Sequence, residues 1–283
     1  MKQLVTVQES YSYCESIIKV HSKTFYKAFS FLPEDKRRAV WAVYSFCRTV
    51  DDIVDEGNSP KEELAVFKAE FNQFLNGVIP AAEPMWIALQ DVFQNFEMDH
   101  QAFLDMIKGQ EMDLYKTHYD TVEELEYYSY HVASTVGLML LPILAPEQKD
   151  LLREGAISLG IGMQFTNVLR DIAEDLDRDR VYVPAKVMAE HSYTEEDLKK
   201  EIVDDRFIAA WESIAIRAEV FYAKFNETLE HYPIESRMPV QLAAIYYREI
   251  LNKVRKQNYK VFSGRVFVSS AEKGDLLKQI AVK

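Results

Sequence analysis

The stretch "RTVDDIVDEG" at 48–57 gathers Asp51, Asp52 and Asp55 within a turn and a half of a helix that Gly57 would end. Free carbonyls already make a helix C-terminus partly negative, so carboxylates collected there cost stability unless cations reach them. A second stretch, "RDIAEDLDRDR" at 170–180, again sets an arginine ahead of carboxylates four apart. Residues four apart share a helix face, so Asp51 points with Asp55, and Asp171 with Asp175. Gln164, Asn167, Asp171 and Asp175 form a stripe roughly 80° wide; Tyr44, Arg48, Asp52 and Asp55 form another, with Asp51 beside it. One acidic stripe alone reads as a solvated face. Here Gln164 and Asn167 sit among apolar and small residues, where polar groups need partners.

Mg²⁺ suits such a constellation, because it takes octahedral oxygen coordination from a few carboxylates, waters and substrate phosphate oxygens. Several ions around one diphosphate would balance the acidic charge. Arg48 and Arg170 would add bidentate contacts to phosphate oxygens. Together, metal and guanidinium would draw electrons from a departing diphosphate and permit an allylic carbocation.

The elements that must hold these groups are helical throughout. Gly 9 and Pro 9 in 283 residues lie well under their usual shares of roughly 7% and 5%. The segment "VQESYSYCESIIKVHSKTFYKAFSFL" reads as a first helix, and Pro33 opens a second that ends in the first acidic motif. Ser59, Pro60 and Glu62 read as cap, first-turn proline and capping-box glutamate of a third; Thr121 with Glu124 repeats that signature, and Thr194 with Asp197 makes a weaker version. Turn clusters fall at 77–84, 145–150 and 231–239, none long enough for an interdomain linker. The expectation is an all-α fold, a single domain over residues 1–283, with roughly ten helices packed mostly as a bundle.

A formal net charge of −12 without a long basic tract argues against a nucleic-acid partner. Cys14 and Cys47 lack metal-ligand spacing and cannot form a disulfide framework, which points to a reducing cytosol. The start carries no signal-peptide core, and "HVASTVGLMLLPILAP" is too short and too interrupted by Pro142 to span a bilayer. A cytoplasmic protein, peripheral to a membrane at most, is expected.

Five ordered blocks make the chain resemble the squalene/phytoene synthase family, head-to-head prenyl transferases of the isoprenoid synthase fold. They are "HSKTFYKAFSFLP" (21–33), "RAVWAVYSFCRTVDDIVD" (38–55), "YSYHVASTVG" (128–137), "QFTNVLRDIAEDLDRDRVYVP" (164–184) and "RVFV" (265–268). The resemblance implies that Asp51, Asp55, Asn167, Asp171 and Asp175 bind Mg²⁺, with Asp52 completing the first motif. It implies diphosphate contacts at His21, Ser22, Lys23 and Thr24, and substrate contacts at Tyr44, Arg48, Gln164, Arg170, Tyr247 and Arg265. Tyr130 would stand near the reacting carbons, while Phe25 and Phe29, by default core residues, would wall a prenyl channel.

The short chain looks most similar to bacterial dehydrosqualene synthases, which join two farnesyl diphosphates through a cyclopropyl (presqualene) diphosphate toward carotenoids. "GQEMDL" at 109–114 looks instead like the "GMEMDL" of phytoene synthases, which join two geranylgeranyl diphosphates. The chain shows no dinucleotide fingerprint, so no nicotinamide cofactor is expected. The resemblance also implies an insoluble hydrocarbon product, hence an apolar exit at a membrane surface. Outside catalysis, a helical assembly factor or a metal-binding scaffold would share these features, although an assembly factor that had lost the carboxylates would not keep both acidic sets.

Overall fold

The computed structural model describes residues 5–80 and 83–281. Residues 1–4 of the chain start, and 81–82 of the expected 77–84 turn, lie outside them. The described residues form α-helices α1 (Val7–His21), α2 (Lys23–Phe29), α3 (Glu34–Glu56), α4 (Pro60–Leu75), α5 (Pro84–Asn95), α6 (His100–Met112), α7 (Val122–Ser129) and α8 (Thr135–Leu144). There follow α9 (Lys149–Arg170), α10 (Ile172–Leu176), α11 (Ala185–Glu190), α12 (Glu195–Lys199), α13 (Asp205–Thr228), α14 (Ile234–Lys256) and α15 (Ser270–Ala281). No strand occurs among the described residues; His118 and Val181 make an isolated parallel bridge. The all-α bundle expected from sequence is therefore what the chain forms, with more and shorter helices than expected.

The extra breaks have local causes. The expected first helix divides at Ser22, whose φ of −140° and ψ of 79° leave the helical region while its side chain accepts from Phe25 N–H. At α4, Ser59 makes no side-chain cap; its N–H instead donates to Glu63 Oε1 at 2.9 Å, so Glu63 rather than Glu62 caps the turn. Thr121 does cap α7, but the Glu124 carboxylate turns to Asp120 N–H and Lys116. Thr194 and Asp197 form the full reciprocal box that their sequence only suggested.

Helix α9 is the axis of the bundle: α13, α8 and α14 pack along it. The buried apolar residues form one contiguous cluster. Phe46 of α3, Phe67 and Phe71 of α4, Trp86 of α5 and Phe103 of α6 join in it, with Phe46–Phe103 centroids 5.0 Å apart. Each such ring stabilises the fold by roughly 1.5–3 kcal/mol of burial. Among the described residues, no helix is long and apolar enough to cross a membrane.

Between α7 and α8, residues Tyr130–Ser134 form one π-helical turn. Such a turn inserts an extra residue into a helix and is frequent at functional sites. It is seated by two glycines. A Cβ on Gly160 would lie 2.4 Å from Ser134 Cα, and one on Gly109 would lie 2.8 Å from the His131 backbone. Since the atoms met at Gly160 are backbone, Gly160→Ala is expected to destabilise the chain by about 1–3 kcal/mol. Urea denaturation checks this, and unchanged stability would mean the π turn is free to shift.

Candidate active site

The last turns of α3 carry Asp51 and Asp55 to one wall of a cleft of about 520 Å³, and the α9–α10 junction carries Asp171 and Asp175 to it as well. The second acidic stripe is not one unbroken helix, as sequence suggested. Asp171 stands between α9 and α10 with φ −102° and ψ 18°. Its N–H still donates to Asn167 C=O at 2.8 Å, and Asp175 N–H donates to Asp171 C=O at 2.9 Å. The four-residue spacing survives the break, so Gln164, Asn167, Asp171 and Asp175 all line the cleft.

Arginines supply the cations that the helix end demanded. Arg48 Nη1 donates to Asp51 Oδ2 at 3.0 Å, and the same guanidinium pairs with Asp52. Asp55 is held by Arg178 and by Arg180, the latter at 2.8 Å. Asp171 is held by Arg170, with Nε 2.7 Å from Oδ1, and by Arg265 at 3.2 Å. Arg178 and Arg180 were not singled out in the sequence. Their signal was the alternation in "DLDRDR", which Asp179 folds back through a left-handed φ of 55°, a conformation Asp tolerates better than most residues.

Asp175 has no ion-pair partner among the described residues. Burial and the neighbouring Asp171 push it up to about 8, while burial and Asp55 push Asp51 up to about 6. The site is therefore short of positive charge. Among the described residues, no three His, Cys, Asp or Glu side chains already enclose a metal position. The donors nonetheless fit a hard divalent cation: they are carboxylate oxygens plus Asn167 Oδ1, a buried atom with no hydrogen-bond partner.

The remaining expected residues divide between cleft and surroundings. His21, Ser22, Tyr44, Arg48, Arg170, Tyr247 and Arg265 line the cleft. Phe25 lies between this cleft and an apolar cavity of about 170 Å³, which Phe29 lines too. Phe25 stacks on Tyr247 with centroids 5.2 Å apart, joining α2 to α14. Lys23 and Thr24 lie off the cleft wall: Lys23 is exposed, and the Thr24 hydroxyl accepts from Lys273 Nζ at 2.7 Å. Asp52 also lies off the wall, turned to Arg48.

Tyr130 does not reach the cleft. Its hydroxyl is directed at Asp105, 3.4 Å away, and the tyrosine of this segment that lines the cleft is Tyr128, two residues earlier. Two residues are about 200° of helix, so Tyr128 and Tyr130 cannot share a face. Tyr128 and Tyr182 both donate to the buried carboxylate of Asp113, at 2.8 Å and 2.9 Å, and Asp113 sits within the "GQEMDL" segment. Burial pushes Asp113 up to about 6 against those two hydrogen bonds and Arg180.

A family model described as squalene/phytoene synthase matches residues 18–272. The chain belongs to the squalene/phytoene synthase family. It is 36% identical to the 15-cis-phytoene synthase of Synechocystis sp., over 96% of this chain and 84% of that protein. It is 34% identical to the chloroplastic phytoene synthase 2 of Solanum lycopersicum, over 94% and 88%. Among solved structures, a ligand-bound dehydrosqualene synthase superposes with a TM-score of 0.93 at 39% identity, covering 98% of this chain and 96% of that one. The squalene synthase HpnC of Alicyclobacillus acidocaldarius gives 0.82 at 25%, covering 89% and 95%. This squalene/phytoene synthase family member is thus a prenyltransferase of the head-to-head type.

The raised carboxylates set a pH dependence. Unfolded carboxyls titrate near pH 4, whereas folded Asp51 and Asp175 hold protons to about 6 and about 8. Their contribution to stability is complete below the unfolded value and is lost as pH rises through the folded values. In chelator, the melting temperature is expected to fall between about pH 5 and about pH 8.5, and Mg²⁺ with inorganic pyrophosphate should flatten that slope. The same slope with and without those additions would show that the acidic cleft does not take up cations.

Proposed function

We propose that the chain joins two geranylgeranyl diphosphates head to head, through a cyclopropyl diphosphate, to the forty-carbon triene phytoene. The observation that carries this reading is the continuity of the two cavities. The acidic cleft and the apolar cavity share Phe25, Val132, Val136, Gln164, Asn167 and Tyr247 as common wall. A diphosphate head and a prenyl tail therefore have adjoining compartments of the matching polarity. The phytoene synthase relatives support the twenty-carbon substrate over the farnesyl reading that chain length suggested, as does the phytoene-type "GQEMDL" segment. The dehydrosqualene synthase likeness keeps farnesyl diphosphate as the second reading.

In this proposal the catalytic unit is residues 1–283, and Asp51, Asp55, Asn167, Asp171 and Asp175 hold several Mg²⁺ ions, with Asp52 fixing Arg48 behind them. Bound Mg²⁺ supplies Lewis-acid stabilisation of the leaving diphosphate. Arg48, Arg170, Arg178, Arg180 and Arg265 exchange their carboxylate partners for phosphate oxygens, which their guanidinium groups match in geometry. His21, Ser22, Tyr44, Gln164 and Tyr247 complete the diphosphate surroundings, with Lys23 and Thr24 at the outer edge. Phe25 and Phe29 exclude water from the allylic cation, and their ring faces favour positive charge. Loss of a proton, without hydride delivery, ends the reaction. The hydrocarbon then leaves a cytosolic enzyme at a membrane surface.

Purified protein with Mg²⁺ and no nicotinamide should turn geranylgeranyl diphosphate into a forty-carbon conjugated triene, read by mass and absorbance. A thirty-carbon triene formed from farnesyl diphosphate alone would establish the second reading. Asp51→Asn and Asp171→Asn should each lower kcat by about a hundredfold or more with an unchanged circular dichroism spectrum. Full turnover in both variants would remove the metal assignment.

A further inference from the structure

Asp113 is the buried charge that the proposed reaction has not used. It sits just past the end of α6, 8% exposed, and lines the cleft beside Tyr128 and Tyr182. The two phenols are 4% and 6% exposed, and their rings stack with centroids 5.1 Å apart. Both hydroxyls donate to the one carboxylate, Tyr128 to Oδ2 at 2.8 Å and Tyr182 to Oδ1 at 2.9 Å. The two oxygens also lie 3.3 Å from each other. Tyr119 stacks on Tyr182 at 5.6 Å and supports the pair from behind.

This arrangement is directional. A carboxylate accepts and cannot donate, so two phenols sharing one carboxylate must both commit their hydrogens to it. Each phenol oxygen then has only lone pairs left to offer the cleft. A wall of lone pairs favours positive charge in a water-excluded site, where fixed dipoles act far more strongly than in water. Neither phenol alone would keep that orientation, since a phenolic hydrogen can rotate toward any nearby acceptor.

We propose that Asp113 is a positioning residue for the head-to-head reaction: it pins the Tyr128 and Tyr182 phenols with their lone pairs toward the cleft, where the allylic cation forms. The proposal rests on the function inferred above. It also gives a physical task to the aspartate of "GQEMDL", a segment set apart in the sequence for its likeness alone.

Asp113→Asn is the test, because the amide keeps the shape but presents donors, forcing at least one phenol to turn its hydrogen into the cleft. With prenyl diphosphate and Mg²⁺, kcat should fall about 10- to 100-fold, the usual consequence of losing an orienting partner, while KM changes by less than about twofold. The rise in melting temperature given by Mg²⁺ with inorganic pyrophosphate should match that of the unaltered chain, because diphosphate binding is untouched. Tyr182→Phe, which leaves Asp113 ionised with one donor, should give a smaller kcat loss with the same unchanged KM and serves if the asparagine variant does not fold. Unchanged kcat, or a loss confined to KM and the pyrophosphate shift, would overturn the role of Asp113. An unaltered chain that shifts with pyrophosphate yet makes no hydrocarbon from either prenyl diphosphate would overturn the functional reading itself, and with it this one.

Discussion

Uncompensated negative charge organises this molecule. Two helix ends bring their carboxylates to a common cleft, and a bundle with a net charge of −12 has little positive charge to spare for them. Arg48 and Arg170 answer it from beside the acidic residues, but three other arginines come from far along the chain: Arg178 and Arg180 lie beyond α10, and Arg265 lies beyond α14. Arg178 and Arg180 join the acidic turn of α3 to the segment after α10, and Arg265 joins the α9–α10 junction to the segment after α14. These pairs also mean that an incoming cation competes with guanidinium groups already in place. Diphosphate changes that competition, because it offers the arginines new partners at the same moment. On the proposed function, ions and substrate therefore bind with positive linkage, and each raises the affinity for the other by the same factor.

The apolar part of the site follows from the central position of α9. Its C-terminal half carries Gln164, Asn167 and Arg170 to the cleft, while Ala156, Leu159, Gly160 and Met163 on the same helix line the apolar cavity. One rigid element thus fixes the polar and apolar compartments relative to each other. Helices α13, α8 and α14 hold it on several sides, which, on the proposed function, suits a reaction whose cation must not meet water.

The all-α fold and the acidic face were legible in the sequence because both depend on short-range regularities. Low glycine and proline, recurring caps and four-residue spacing are local signals. Asp51, Asp55, Asn167, Asp171 and Asp175 do share a cleft, even though Asp171 interrupts its helix. Less visible were features set by contacts distant in sequence. The return of Arg180 to Asp55, 125 residues away, leaves only a weak local mark. Asp113 was visible only as part of the "GQEMDL" likeness; its two phenolic partners come from α7 and from the segment after α10.

The π turn at Tyr130–Ser134 works as a phase change. One inserted residue turns everything before it by about 100° relative to everything after it. Across it, Tyr128 meets Asp113 while Val132 and Val136 border the cavities. In this part of the chain length is itself informational. Removing a single residue would leave composition, hydrophobicity and helix content almost as they are, yet it would rotate the phenol out of register with the compartment it borders.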